Sequence, residues 1–251
     1  MSDTIPYSAK WIIQQSGKEL GLPVGDAPVS SLAETDVQML GLLNSAGYDL
    51  TSNYSWEELN RTYLFETVAD KADYPFPDDY NYFQDSSGWD RTNRWPLLGP
   101  VSVQEWEALI AAKVTAVSRT YYKLQNKRVF VWPIPTVGGT EAGTQIAGRL
   151  LAIAYASLNW VEDSAAKGTY KPLITNDNDM PLLNPWLLVK LLKCKMWAAK
   201  GFDTTKLDNE YMTMFMSLSA KSKGSRVLSL APKQGSVFIG VQNVPEGNWV
   251  R

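Results

Sequence analysis

The chain has 251 residues, 45% hydrophobic and 20% charged, with a formal net charge of −2. That length can bury the core of one large domain or two smaller ones, and the near-neutral balance argues against a dedicated nucleic-acid binder. The sequence holds no histidine and one cysteine, which removes the commonest general acid–base and leaves neither an intrachain disulfide nor a thiolate metal cage.

The longest apolar runs, such as Trp186-Leu187-Leu188-Val189, are soon broken by lysine, and none approaches the ~20 residues of a membrane helix. Met1-Ser2-Asp3-Thr4-Ile5-Pro6 lacks the basic and apolar regions of a signal peptide. The expectation is a protein made in a cytoplasm, with no membrane partner. Ten tryptophans and twelve tyrosines are a heavy load for this length: some must serve the core, and aromatics are also enriched at protein–protein interfaces.

In chain order, residues 8–20 carry a weakly amphipathic helical pattern with Trp11, Ile12 and Leu20 apolar, ended by Gly21-Leu22-Pro23. Ser31 and Glu34 form a capping box. Leu32, Val37, Leu40 and Leu43 then recur at helical spacing, which predicts a helix over about 32–46 stopped by Gly47. A second box, Ser55 to Glu58, opens a short helical turn carrying Trp56 and Leu59.

The pattern then turns strand-like. Thr62 to Val68 and Tyr80 to Phe83 read as strands, with a turn at Ala69–Asp73 and an extended Tyr74-Pro75-Phe76-Pro77 between them. A polar loop runs from Gln84 to Arg94. A third box, Ser102 to Glu105, opens a helix at about 103–112 with Val103, Trp106, Leu109 and Ile110 inward. Strands resume at Arg119–Leu124, turn at Gln125-Asn126, and continue through Arg128–Trp132. A Gly/Thr loop covers 136–148. Leu150 to Trp160 is a further strand with Leu151, Ile153, Tyr155 and Ser157 on one face.

After a polar loop at 163–181, Asn184-Pro185 is an N-cap with proline at the first helical position. That helix runs to about Lys200 and stops at Gly201. Asp203 or Thr204 caps another, to about Lys223, striped by Tyr211, Phe215 and Leu218. The short connection predicts an antiparallel pair.

The expected fold is therefore α+β. A helical bundle is assembled from both chain ends (1–61 and 182–224), an antiparallel β-domain of sandwich or barrel type is inserted at 62–181, and an extended docking tail occupies 225–251. Val237, Phe238, Ile239 and Val241, with Trp249, are the candidate interface residues of that tail, which has little to form a core of its own.

Candidate chemistry is sparse, and the expectation is a non-enzymatic protein with no catalytic residue, cofactor or metal. Asp177 and Asp179 have the i, i+2 spacing of loop calcium ligands but lack an EF-hand's glycine and terminal glutamate; a solvated turn is the plainer reading. Asp78-Asp79 with Asp70 and Asp73 could be paired glycosidase carboxylates, against turns between strands. Trp89, Trp95, Trp132 and Trp249 could form a sugar platform, against core and protein interface. Gly138-Gly139 lacks the Lys-Ser/Thr of a phosphate loop. Cys194 reads as an inert core thiol, having no imidazole to activate it.

Four segments together resemble the head-to-tail adaptor (connector) proteins of short-tailed bacteriophages. They are Leu42–Leu50 followed by Trp56-Glu57-Glu58-Leu59; Tyr74-Pro75-Phe76-Pro77-Asp78-Asp79-Tyr80; Val129-Phe130-Val131-Trp132-Pro133-Ile134-Pro135 with the strand Leu151–Trp160; and the run from Thr175 through Asp177, Asp179, Pro181 and the Trp186 helix to Gly201-Phe202, Tyr211 and Ser225–Leu230. Phe76 stands where leucine is usual, and Asn176 and Asn178 alternate with the aspartates. The resemblance implies a structural virion subunit. About twelve copies would form a homo-oligomeric ring by a heterologous contact, between a portal protein and a tail nozzle protein. Double-stranded DNA would pass through the lumen without sequence-specific binding. Rival readings are another tail or nozzle component and a carbohydrate-binding tail-associated module.

Overall fold

The computed structural model describes residues 7–84, 87–111, 120–137 and 147–222 of the chain. The tail and its candidate interface residues Val237, Phe238, Ile239, Val241 and Trp249 lie outside these residues, as do Gly138 and Gly139.

The first helix, α1 (Ala9–Leu20), is closed by local chemistry. Ser8 Oγ accepts from Trp11 N–H at 3.4 Å, and Gly21 at φ 66° ends the helix in the left-handed region. Its buried face includes Ile12 and Ile13. The second, α2 (Glu34–Asn53), differs from the expected 32–46 at both ends. Ser31 does not cap it: Ala33 is the N-cap, and Ser31 Oγ accepts only the Ala33 N–H. Gly47 does not stop it either. It is a seat for an aromatic ring, since a Cβ there would lie 2.1 Å from Trp160 Cζ2.

α4 and α5 follow the expectation closely, once α3 (Val103–Ala111) is set aside with the β-region. α4 (Pro185–Ala199) is capped by Asn184 Oδ1, which accepts from Trp186 and Leu187 N–H. It packs against α1, α2 and the last helix, α5 (Thr205–Ser222). A helix flanked on three sides must be apolar around most of its circumference, and Leu187, Leu188, Val189, Leu192 and Met196 are all fully buried. Lys190 pairs with Glu210, and Cys194 lies near Asp208. Numbers rise on one helix as they fall on the other, so the pair is antiparallel.

Among the described residues, eleven strands lie between α2 and α4, with α3 after the fifth: β1 (Asn60–Glu66), β2 (Asp73–Pro75), β3 (Tyr80–Phe83), β4 (Trp89–Asp90), β5 (Trp95–Pro96), β6 (Tyr121–Gln125), β7 (Arg128–Trp132), β8 (Leu150–Ser157), β9 (Val161–Glu162), β10 (Tyr170–Lys171) and β11 (Met180–Pro181). The large sheet runs β1-β8-β4-β5, with β3 also on β8. A second sheet runs β2-β7-β6 and a third β10-β9-β11. All these strand pairings are antiparallel. The protein is thus α+β. The β6–β7 turn, at Asn126 and Lys127, has φ of 52° and 56°, the two positive values a tight hairpin requires.

Two cores result. Phe65, Leu151 and Ile153 of the large sheet meet Tyr74, Tyr122, Val129 and Val131 of the second sheet, forming a sandwich. The other core joins the helices, and Trp160, Val161 and Ile174 belong to it. The strand read as Leu150–Trp160 ends at Ser157, which lets the chain carry Trp160 across to the helices. Its indole N–H donates to Pro172 O at 2.7 Å.

Candidate assembly surfaces

The acids flagged in the sequence are structural fasteners. Asp179 is fully buried. Its Oδ1 accepts from Ser164 N–H and Oγ, its Oδ2 from Thr175 N–H at 2.9 Å and Asn176 N–H at 2.8 Å, and Lys171 Nζ lies 2.8 Å away. Burial alone would raise its pKa. The Lys171 ammonium and the backbone N–H groups outweigh that and hold it below the ordinary aspartate value. Lys171 moves the opposite way and is raised: burial works against its charge, but Asp179 and Asp163 prevail. Asp177 bonds Val29 N–H and Ser30 Oγ, and the Asp177 and Asp179 carbonyls accept from Lys10 and Ala9 N–H. The segment read as a solvated turn is therefore a clamp on the start of α1. Among the described residues no group of three His, Cys, Asp or Glu side chains is arranged to hold a metal ion.

Asp70, Asp73, Asp78 and Asp79 do not act together. Asp79 accepts from Tyr155 Oη at 2.9 Å and from Ser157 Oγ, latching the β2–β3 turn onto β8. Tyr155 is raised by its burial and then by the Asp79 carboxylate. Asp73 pairs with Arg128 across β2 and β7. Asp70 sits in a left-handed turn at φ 59°, and Asp78 is exposed. Cys194 is buried, and its thiol is pushed up to about 12 by burial and by the Asp208 carboxylate.

The tryptophans fall on different faces. In antiparallel pairing, directly opposed residues share a face. Trp89 opposes Ala152, which opposes Leu64, so these three lie on the outside of the large sheet. Trp132 opposes Tyr121 and is next to the inward Val131, which places it on the outside of the other sheet. Trp95 opposes the buried Asp90 and has the opposite parity to Trp89. The three described members of the expected sugar platform thus share no face.

Apolar side chains do gather on the surface elsewhere. Leu64 is 52% exposed and Trp89 40%, with Leu150 on the same face. On the opposite side of the sandwich, α3 touches its sheet chiefly through Trp106, whose ring lies over Lys123 with 5.8 Å between the ammonium and the centroid. Lys123 neighbours the inward Tyr122, so it points outward. Only Trp106 of α3 is buried. Val103 and Ile110, expected inward, are 64% and 40% exposed, because a helix resting on one ring leaves its other faces free. No residue of α5 is fully buried, and Met212 and Met216 point out. A groove of about 810 Å³ beside them is lined by Lys190, Asp203, Lys206, Asn209, Thr213 and Met214. A further cluster, Tyr7, Trp11 and Trp186, links the starts of α1 and α4 by edge-to-face contacts at 5.2 Å. Nothing in the sequence marked α3 or α5 as outward-facing.

An α+β body whose acids and thiol serve the fold, and whose exposed aromatics and methionines lie on several separate faces, has the architecture of an assembly component. The SU10 adaptor protein family model matches residues 7–226. The chain belongs to that family, and so is a structural adaptor of a bacteriophage virion that associates with other head–tail proteins. No curated protein matches it. No helix among the described residues is long and apolar enough to cross a membrane.

Proposed function

We propose that the chain is a non-enzymatic neck subunit of a short-tailed phage. About twelve copies form a ring between portal and tail nozzle, through which the genome passes. Membership of the adaptor family carries this reading. The sandwich supports it. A closed ring of identical subunits needs two different contact patches on each copy. The outside of the large sheet, with Leu64, Trp89 and Leu150, and the α3 face, with Val103 and Ile110, are different apolar patches on opposite sides of one body. The residues after Gly224 are assigned to the portal.

Electron microscopy of virions, or of the purified chain mixed with portal, tests the reading. A symmetric collar directly below the portal is expected. Density at fibre tips, or a place in the nozzle with no portal contact, overturns it. A chain ending at Gly224 should keep its circular dichroism spectrum and lose portal binding; undiminished affinity removes the tail from the portal contact.

A further inference from the structure

β1 is a rim of the large sheet. Among the described residues it pairs with β8 alone. In an antiparallel ladder successive residues turn their N–H and C=O alternately toward and away from the partner. Thr67 continues β1, donating its N–H to Arg149 O at 2.9 Å and accepting from Gly148 N–H at 2.7 Å. The odd-numbered Arg61, Tyr63 and Phe65 therefore face β8. The backbone groups of Thr62, Leu64 and Glu66 point off the sheet, with no hydrogen bond to another described residue. Their side chains are exposed as well. A seven-residue rim strand with no proline, glycine or lysine is a template for another strand, and natural proteins cover such edges.

The path of the chain indicates what covers this one. α5 returns to the start of β1: Tyr54 Oη donates to Ser219 O, and Glu57 N–H donates to Ser222 Oγ at 3.5 Å. α5 thus ends, at Ser222, beside the turn that leads into β1. Beyond it, Val237-Phe238-Ile239-Gly240-Val241 is an uncharged run rich in β-formers. The link from Ser222 to Val237 reaches about 50 Å when extended, while the whole of β1 spans only about 23 Å.

We propose that in the free subunit residues 236–241 of the same chain add to β1 as an extra strand of the large sheet. The inference concerns the chain before assembly and does not depend on the portal reading. It does give that reading a consequence: the tail residues assigned to the portal are first held on the subunit's own sheet, so the two contacts compete.

Hydrogen exchange on the free subunit, with no portal present, tests it. The full chain is compared with one ending at Gly224, at concentrations where both are monomeric. The Thr62, Leu64 and Glu66 amides should exchange at least about tenfold slower in the full chain. Ile239→Pro should abolish that protection without touching the described fold. Leu64→Pro replaces an N–H that is not in the ladder, a position where a rim strand accepts proline, and should have the same effect on Thr62 and Glu66. Equal exchange in the full and shortened chains overturns the proposal. Protection that appears only in dimers or larger species overturns it too, by giving the edge to another copy. Either failure leaves portal docking standing, and loss of portal binding on truncation leaves the strand addition standing.

Discussion

Substituting Gly47 by alanine sets two principles against each other. Helix propensity alone favours alanine over a mid-helix glycine by about 1 kcal/mol. The structure reverses the sign. The new methyl carbon would lie 2.1 Å from Trp160 Cζ2 and 2.3 Å from Cε2, whereas comfortable carbon contacts are about 3.5–4.0 Å. The ring must retreat by more than about 1 Å, yet its N–H is tied to Pro172 O at 2.7 Å and it is 1% exposed. Overpacking of this kind costs about 1–3 kcal/mol, and straining or losing the indole hydrogen bond adds about 1 kcal/mol. Net destabilisation of about 1–3 kcal/mol is expected, a fall in Tm of several degrees. Urea unfolding followed by circular dichroism measures it. In a Trp160→Phe background the same Gly47→Ala change should cost less or become stabilising, because the clashing ring is gone. Refutation is simple: a Gly47→Ala protein at least as stable as the parent, or an undiminished cost beside Phe at 160, means that the ring does not sit on this glycine.

Asp179→Asn should be destabilising and should flatten the acid limb of stability. The folded carboxyl is held below its unfolded value of about 3.9, so its contribution is present above that pH and lost as pH falls through the folded pKa; a variant with the parent's full acid slope contradicts the assignment. Lys171, raised in the fold, works at the other end: its contribution is present below about pH 10.4 and lost as pH rises through the folded pKa, so Lys171→Met should have a shallower alkaline decline than the parent, the rest belonging to buried tyrosines such as Tyr155. Cys194 should resist iodoacetamide at pH 8 in the native chain and react at an ordinary thiol rate in urea; rapid native alkylation would show that the helix pair opens around it. Ser102→Ala should cost about 1 kcal/mol through loss of the Ser102 hydroxyl, which accepts from Glu105 N–H at 3.2 Å and donates to the Glu105 carboxylate at 3.1 Å, read by denaturant midpoint, with an unchanged midpoint showing that α3 is held by Trp106 instead.

Local chemistry made several elements legible. Asn184-Pro185 starts α4 because an asparagine oxygen can take two free N–H groups and a proline has none to lose. Asn126 turns the β6–β7 hairpin because asparagine tolerates positive φ. Elements set by tertiary contact were not legible. Gly47 resembles a helix stop, but it exists for a ring more than a hundred positions away. Ser31 and Glu34 have the spacing of a box, yet the helix begins at Glu34, so Glu34 cannot stand at its third position. β4 and β5 are two residues each, too short for any periodicity; β4 interrupts what reads as polar loop and β5 follows directly after it. Asp179 looked solvated because two aspartates among asparagines resemble a surface turn; only the return of Ser164 and Lys171 to the same point reveals the buried clamp.

The adaptor surfaces were harder to read than the core for a physical reason. A core residue betrays itself by periodicity, since its partners lie in the same chain. A surface meant for another molecule obeys the same periodicity with no partner in view. The stripe Val103, Trp106, Leu109 and Ile110 predicts an inward face, and the structure turns only Trp106 fully inward. The apolar pattern on α3 is real, but part of it is left exposed. Leu64, in the strand read over Thr62 to Val68, is likewise half exposed. Hydrophobic pattern thus predicts burial in the assembled state. The residues at which it fails in the single chain, Leu64, Val103 and Ile110 among them, are those on which an adaptor's contacts should be sought.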